Sequence, residues 1–102
     1  MKILWTEPAL EDLRNLHAYI AKDSEIYARS FVQRIINAVE RLSNFPKLGR
    51  IVPEADQEII REILYQNYRI IYRFKTELIE ILTVIHGNRD LGLLKQAPWE
   101  VD

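Results

Sequence analysis

Asn44-Phe45-Pro46-Lys47-Leu48-Gly49-Arg50 divides this chain into two halves with different hydrophobic periods. Proline removes a backbone donor, and asparagine and glycine favour turns, so neither a helix nor a central strand runs through this stretch. Upstream, apolar residues recur every three or four positions; downstream they come in short β-branched and aromatic runs. Working back from Pro46, Ala28, Phe31, Val32, Ile35, Val39 and Leu42 form the stripe of a long helix, capped by Asp23 or Ser24 and stopped at Asn44-Phe45-Pro46. A shorter helix precedes it, starting at about Glu7 and ending near Lys22, with Leu10, Leu13, Leu16 and Ile20 on its apolar face. Thr6 is its N-cap, Glu7 places an acid at the positive end of the dipole, and Pro8 falls in the first turn. The short connection makes the two an antiparallel hairpin, and residues 2–5 add a short apolar run before it.

Working forward from Gly49, residues 58–64, 68–74 and 78–86 read as strands, with turns at Gln66-Asn67 and Thr76-Glu77. A tight turn at Thr76-Glu77 sets Arg73 opposite Glu80, Ile71 opposite Leu82, Arg69 opposite Val84 and Asn67 opposite His86, all on one face. The alternate face collects Tyr68, Ile70, Tyr72, Phe74, Ile79, Ile81, Thr83 and Ile85, and is the face expected under the helices. The expected fold is α+β. A short N-terminal strand and a two-helix hairpin pack on a three- or four-stranded antiparallel sheet, in one domain over residues 1–102. The second sheet face is left for something else.

Composition narrows the chemistry. At 102 residues, 48% hydrophobic and net charge -1, the chain is too apolar and too neutral for disorder and long enough for one core. It has no cysteine, which removes thiolate nucleophiles, disulfide scaffolds and iron–sulfur sites and favours a reducing cytoplasm. No run approaches the ~18 apolar residues of a membrane span, and Met1-Lys2-Ile3-Leu4-Trp5 does not open a signal peptide, so the expectation is a soluble cytoplasmic protein. His17 and His86 are the only histidines and lack ligand spacing, so no metal is expected. Gly49, Gly87 and Gly92 are isolated and build no phosphate loop, so no nucleotide cofactor is expected either. Nine of the fourteen cations are arginine, whose donor fork suits carboxylate or phosphate.

One constellation is compatible with catalysis: Glu54, Arg61, Arg69, Arg73, His86 and Arg89. Cleaving RNA by transesterification needs a base for the 2′-hydroxyl, cations for the developing phosphorane charge and an acid for the leaving oxygen. From the residues alone the structural account is the favoured one: a cross-strand ion pair with Glu80 for Arg69 and Arg73, and a strand-terminal role for His86.

The order Trp5-Thr6-Glu7-Pro8-Ala9-Leu10-Glu11-Asp12-Leu13, Tyr19-Ile20-Ala21-Lys22-Asp23, Ala28-Arg29-Ser30-Phe31, Phe45-Pro46-Lys47-Leu48-Gly49-Arg50, Pro53-Glu54, Arg61-Glu62, Tyr68-Arg69-Ile70-Ile71-Tyr72-Arg73 and His86-Gly87-Asn88-Arg89-Asp90 resembles the RelE/ParE superfamily of toxins from type II toxin–antitoxin, or plasmid-stabilisation, modules. The resemblance runs from residue 3 to about 91 and implies the helix-hairpin-and-sheet layout read above.

It also implies one of two activities. RelE-like members cut messenger RNA on the ribosome, and YoeB-like ones use a glutamate, an arginine and a histidine followed by tyrosine. Glu54, Arg69 and His86 match the first three, but position 87 is glycine where the tyrosine is expected, and no lysine-rich surface is present. ParE-like members bind DNA gyrase, and the ending His86-Gly87-Asn88-Arg89-Asp90 resembles theirs. A nearly neutral protein suits a protein target better than ribosomal RNA, so the ParE-like activity is the one expected. Whichever branch applies, Arg61, Arg73 and Arg89 are the candidate target-contacting or phosphate-contacting residues, with Arg89 and the C-terminal segment contributing to the contact surface in the ParE-like one.

Either branch implies a cognate antitoxin in a hetero-oligomer, with Trp5, Tyr19, Tyr27 and Phe31 as its candidate contacts; each also fits a small core. A toxin fold that has lost toxicity and serves as a binding partner or co-repressor is the third alternative. Leu91, Leu93, Leu94 and Trp99 form either a last element packed on the sheet or an exposed contact segment.

Overall fold

The computed structural model describes residues 1–100, so the last two positions of the domain expected over 1–102 lie outside the described residues. The chain forms strand β1 (Lys2–Trp5), helices α1 (Glu7–Ala21) and α2 (Glu25–Glu40), and strands β2 (Arg50–Ile51), β3 (Ile60–Tyr65), β4 (Tyr68–Phe74) and β5 (Leu78–His86). The helices begin where the caps predict. The Thr6 hydroxyl oxygen accepts from the Ala9 N–H at 3.4 Å, and the Ser24 hydroxyl oxygen accepts from Tyr27 N–H at 3.1 Å. A short 3-10 turn, Arg41–Ser43, carries α2 into the dividing loop.

The sheet order is β1-β5-β4-β3-β2. It therefore has five strands rather than three or four, and it is mixed, because β1 pairs parallel to β5 while the other neighbours are antiparallel. Returning from β1 through the helix hairpin to the far side of the meander requires that parallel match, which no local pattern in four residues encodes. The stretch Arg50–Ile51, read as loop, pairs with Glu62 and Arg61 as an edge strand.

Both tight turns form, and Arg73 faces Glu80 as expected. The register then slips. Tyr72 pairs with Ile81 but Ile71 pairs with Thr83, so Leu82 is the extra residue of a β-bulge. Thr6 holds the bulge by donating its hydroxyl to the Ile81 carbonyl at 2.7 Å, and Asp12 accepts from Thr83 Oγ1 at 2.5 Å and Val84 N–H at 3.0 Å where β1 has ended. The expected pairs Arg69 with Val84 and Asn67 with His86 are thereby corrected to Arg69 with Ile85 and Tyr68 with His86.

The bulge also decides the two sheet faces. Ile70, Tyr72, Ile79, Ile81 and Val84 pack with Leu13, Leu16, Phe31, Ile35, Val39 and Leu42 in the main core between sheet and hairpin. Ile85, expected on this face, is turned onto the other, Val84 packs in the main core instead, and Thr83 reaches Asp12 of α1 with its hydroxyl. Ile71, Leu82 and Ile85 lie on the other face, which is not left open: Val52 and Ile60 join them, and Leu91, Leu94 and Trp99 of the C-terminal segment cover them. That segment runs through 3-10 turns at Leu91–Leu93 and Pro98–Glu100.

The dividing loop is sewn to the main core by one buried phenol. Tyr72 donates its hydroxyl to the Pro46 carbonyl at 2.6 Å and accepts from the Gly49 N–H at 3.0 Å. Burial pushes the phenol's pKa up, so it stays a donor. A side chain at position 49 would come within 2.4 Å of the Glu62 carbonyl, which is why glycine stands there.

Candidate functional site

At the end of the sheet away from the Thr76-Glu77 turn, taking in side chains from both sheet faces, a cleft of about 550 Å³ is lined by Glu54, Arg50, Arg69, Leu64, Tyr68 and His86, among others. The three residues expected as a nuclease set, Glu54, Arg69 and His86, thus meet in one place. Glu54 comes from the loop between β2 and β3, Arg69 from the start of β4, and His86 from the end of β5.

The guanidinium of Arg69 organises the cleft. Its two terminal nitrogens donate in parallel to the Glu54 carboxylate at 2.8 and 2.9 Å, and its Nε donates to Glu62 Oε1 at 2.5 Å. The other oxygen of Glu62 accepts from Arg50 Nε at 2.6 Å. Glu62 is 1% exposed, and Arg69 is 7% exposed. The result is a chain Arg50–Glu62–Arg69–Glu54 with alternating charge and no net charge. Bidentate hydrogen bonding to Arg69 holds the Glu54 carboxyl down to about 2, and the two carboxylates push the Arg69 pKa up. Among the described residues no buried side-chain nitrogen or oxygen lacks a partner.

Chemically, the fork of an arginine is complementary to a planar anion such as a carboxylate. As it stands, the fork of Arg69 is filled, and two carboxylates compensate its charge. Glu54 is a poor proton acceptor near neutral pH, since efficient general bases have pKa values close to the working pH. His86 is exposed, packs edge-on against Tyr68 with ring centroids 5.3 Å apart, and sets Nδ1 2.7 Å from Asn88 Oδ1. The bulge puts it on the side of the sheet that carries Tyr68, not on the Arg69 and Arg73 side expected for it. Among the described residues there is no group of three or more His, Cys, Asp or Glu positioned for a metal.

The remaining candidate cations do not join the cleft. Arg61 clamps the dividing loop: it donates to the Glu58 carboxylate at 2.9 Å and the Gly49 carbonyl at 3.0 Å, with its guanidinium over the Phe74 ring. Arg73 makes the cross-strand pair with Glu80 at 3.0 Å and reaches the Trp99 carbonyl at 3.5 Å, so it docks the tail. Arg69 was read with the same partner but bonds Glu54 and Glu62 instead. The Arg89 residue is exposed.

Of the aromatic residues expected to meet an antitoxin, Tyr19 and Tyr27 are 68% and 48% exposed near the tip of the hairpin, beside Ile26 at 80%. Phe31 is buried, and Trp5 is half-buried against the main core. Glu62 was not among the expected site residues. Its signal was an acid placed by the Gln66-Asn67 turn on the same face as Arg69, readable once the two strands are paired.

Comparison with known proteins adds the family. The family model described as the ParE toxin of the type II toxin–antitoxin system, parDE, matches residues 3–91. The chain belongs to this ParE toxin family. It is 37% identical over 90 residues to the candidate toxin Y4kP of Sinorhizobium fredii, covering 86% of this chain and 90% of that one. It is 27% identical over 88 residues to toxin RelE2 of Caulobacter vibrioides, covering 86% and 97%. Among solved structures this ParE-family chain is similar to one from the chromosomal ParDE toxin–antitoxin system of P. aeruginosa, with TM-score 0.71, 24% identity, and 84% and 95% of the two chains covered. A YoeB/ParE toxin from Agrobacterium tumefaciens shares the fold at TM-score 0.57 and 16% identity, over 84% and 98%. These likenesses fit the two-helix, five-stranded α+β fold of this ParE-family member.

Proposed function

We propose that this ParE-family toxin arrests growth by binding DNA gyrase in the cytoplasm and is neutralised by a cognate antitoxin in a hetero-oligomer. The observation that carries this reading is the state of Glu54. The carboxylate that the RelE-like reading uses as its base must be free to take a proton, and Glu54 is held by both oxygens on Arg69 with its pKa lowered to about 2. The net charge of -1 supports it too, because neutral proteins gain little counterion release on ribosomal RNA. A binding toxin needs a contact surface and no base.

The antitoxin surface that fits best is the exposed tip of the hairpin around Tyr19, Ile26 and Tyr27, where aromatic and apolar groups meet solvent. A helix-rich partner laying an apolar strip there is the natural complement. No described helix is long and apolar enough to cross a membrane, which fits a cytoplasmic site of action.

Supercoiling of relaxed plasmid by purified gyrase tests the target. Antitoxin-free protein is expected to abolish supercoiling or to trap linear DNA. Unimpaired supercoiling by protein that still arrests growth moves the target to the ribosome. That second reading has its own support, the convergence of Glu54, Arg69 and His86 in one cleft. It predicts that alanine at Glu54 or His86 abolishes toxicity while the fold survives; the gyrase reading predicts that toxicity persists in both.

A further inference from the structure

We propose that the fork of Arg69 is a carboxylate-binding site for an acidic segment of a protein partner, and that Glu54 is its resident, displaceable occupant. The choice of a protein rather than a nucleic acid rests on the reading of this chain as a binding toxin.

The fork is fixed from behind, independently of what it holds in front. Arg69 Nε is anchored on Glu62, which is buried and tied in turn to Arg50 of the edge strand. Removing Glu54 leaves both terminal nitrogens aimed into the cleft. The side chains of Arg69 and Glu62 are 9% and 0% exposed, whereas that of Glu54 is 40% exposed. The occupant is therefore the solvent-side member of the chain, supplied by the loop between β2 and β3 rather than by the sheet.

Charge makes the exchange one-for-one. Without Glu54 the cluster of Arg50, Glu62 and Arg69 carries one net positive charge, which calls for a single anion. Two parallel N–H···O bonds at 2.8 and 2.9 Å are the geometry an arginine fork makes with a carboxylate, so an incoming Asp or Glu reproduces the bonds that Glu54 gives up. The walls suit a peptide. Leu64 is 59% exposed beside the fork, and Gln66, Asn67 and Asn88 offer amides to a main chain. A nucleic-acid strand needs several uncompensated cations in a row, and both arginines of this cleft already share Glu62. Because Glu54 competes from within the same molecule, the incoming segment succeeds only where further contacts along the cleft add to the carboxylate.

The test is titration of the isotope-labelled full chain with a blocked tetraglutamate peptide and, separately, with a four-nucleotide RNA, following arginine Nε–H and backbone amide signals around the cleft. Glu54→Ala is expected to bind the peptide about tenfold or more tighter than the parent, and Glu54→Gln to show a smaller gain, as the loss of one competing charged hydrogen-bond pair implies. Adding Arg69→Gln is expected to erase the gain, and RNA to bind the opened fork more weakly than peptide. Equal peptide affinity in the parent and Glu54→Ala overturns the proposal. So does a gain that survives Arg69→Gln, or RNA outcompeting the peptide. Should Glu54→Ala not fold, the isosteric Glu54→Gln decides by the same comparison. Gyrase inhibition by the parent alongside failed peptide binding removes this inference alone; RNA in the opened fork together with unimpaired supercoiling removes the gyrase reading as well.

Discussion

Strand β4 serves two faces that are held together differently. Toward the helices it presents Ile70 and Tyr72, fully buried among the leucines, isoleucines and Phe31 of the main core. Toward the tail it presents Ile71, buried in the second apolar cluster, and next to it Arg69, also buried, but in a relay of charges with Glu62, Glu54 and Arg50. Burying apolar area is favourable wherever it occurs and tolerates conservative change. Burying charges is costly unless every partner is in place, and a well-packed apolar replacement is often at least as stable. Apolar packing on both faces therefore accounts for why the chain folds, whereas the charge relay adds little to stability over an apolar replacement and is the part the proposed binding role explains.

The sharpest way to break that contrast is to remove one member of the relay. Glu62→Ala leaves the buried Arg69 without the anion that anchors its Nε, while Arg50 is exposed, and is expected to lower unfolding free energy by about 3–5 kcal/mol in urea titrations. Replacing both charges, as in Glu62→Leu with Arg69→Met, is expected to recover most of that loss. A double variant as unstable as the single one contradicts the idea that the relay is kept for binding.

On the apolar face the counterpart is Tyr72→Phe. It keeps the ring but strands the Gly49 N–H and the Pro46 carbonyl, with an expected cost of about 1–3 kcal/mol by the same titration. The loss is expected to appear as faster amide exchange at Gly49.

Acid sharpens the comparison further. Glu54 has a folded-state pKa of about 2 against an ordinary 4.5, so the unfolded chain takes up its proton first as pH falls. Its contribution is present above about pH 4.5 and is lost progressively toward pH 2. Thermal melts across that window are expected to show a steeper decline for the parent than for Glu54→Gln. Substitutions in the main core leave the slope unchanged.

The smallest effect is expected at the hairpin tip. Ile26→Ser and Tyr19→Ala are expected to change stability by no more than about 0.5 kcal/mol, being surface positions, yet to weaken capture by the cognate antitoxin in calorimetry.

The helices, their caps and the three long strands were legible because each is written in local sequence: stripes at three and four, Thr6 and Ser24 before them, apolar runs between turns. The bulge was not. Ile81-Leu82-Thr83-Val84-Ile85 is apolar almost throughout, so it lacks the polar alternation that would expose a one-residue slip, and the placing of His86 and Ile85 went with it. The parallel mate of β1 and the two-residue β2 are set by tertiary closure rather than by propensity. At the site, residue types named a wider set of six, and the family resemblance narrowed it to Glu54, Arg69 and His86, which the loop after β2 and the ends of β4 and β5 bring to one cleft. Glu62 stayed hidden because a charge inside a strand reads as solvent-facing until its partners across the sheet are known.

The parallel pairing of β1 with β5 has a temporal side. Lys2–Trp5 are made well before their partners, Leu78 to Ile81, with more than seventy residues synthesised in between. The helix hairpin is free to form early from local contacts, while closure of the sheet waits for this long-range match. A nascent or prematurely ended chain that stops short of Leu78 has a hairpin with no finished sheet beneath it. The order of synthesis thus keeps the assembled surface from existing until Leu78–Ile81 have been made.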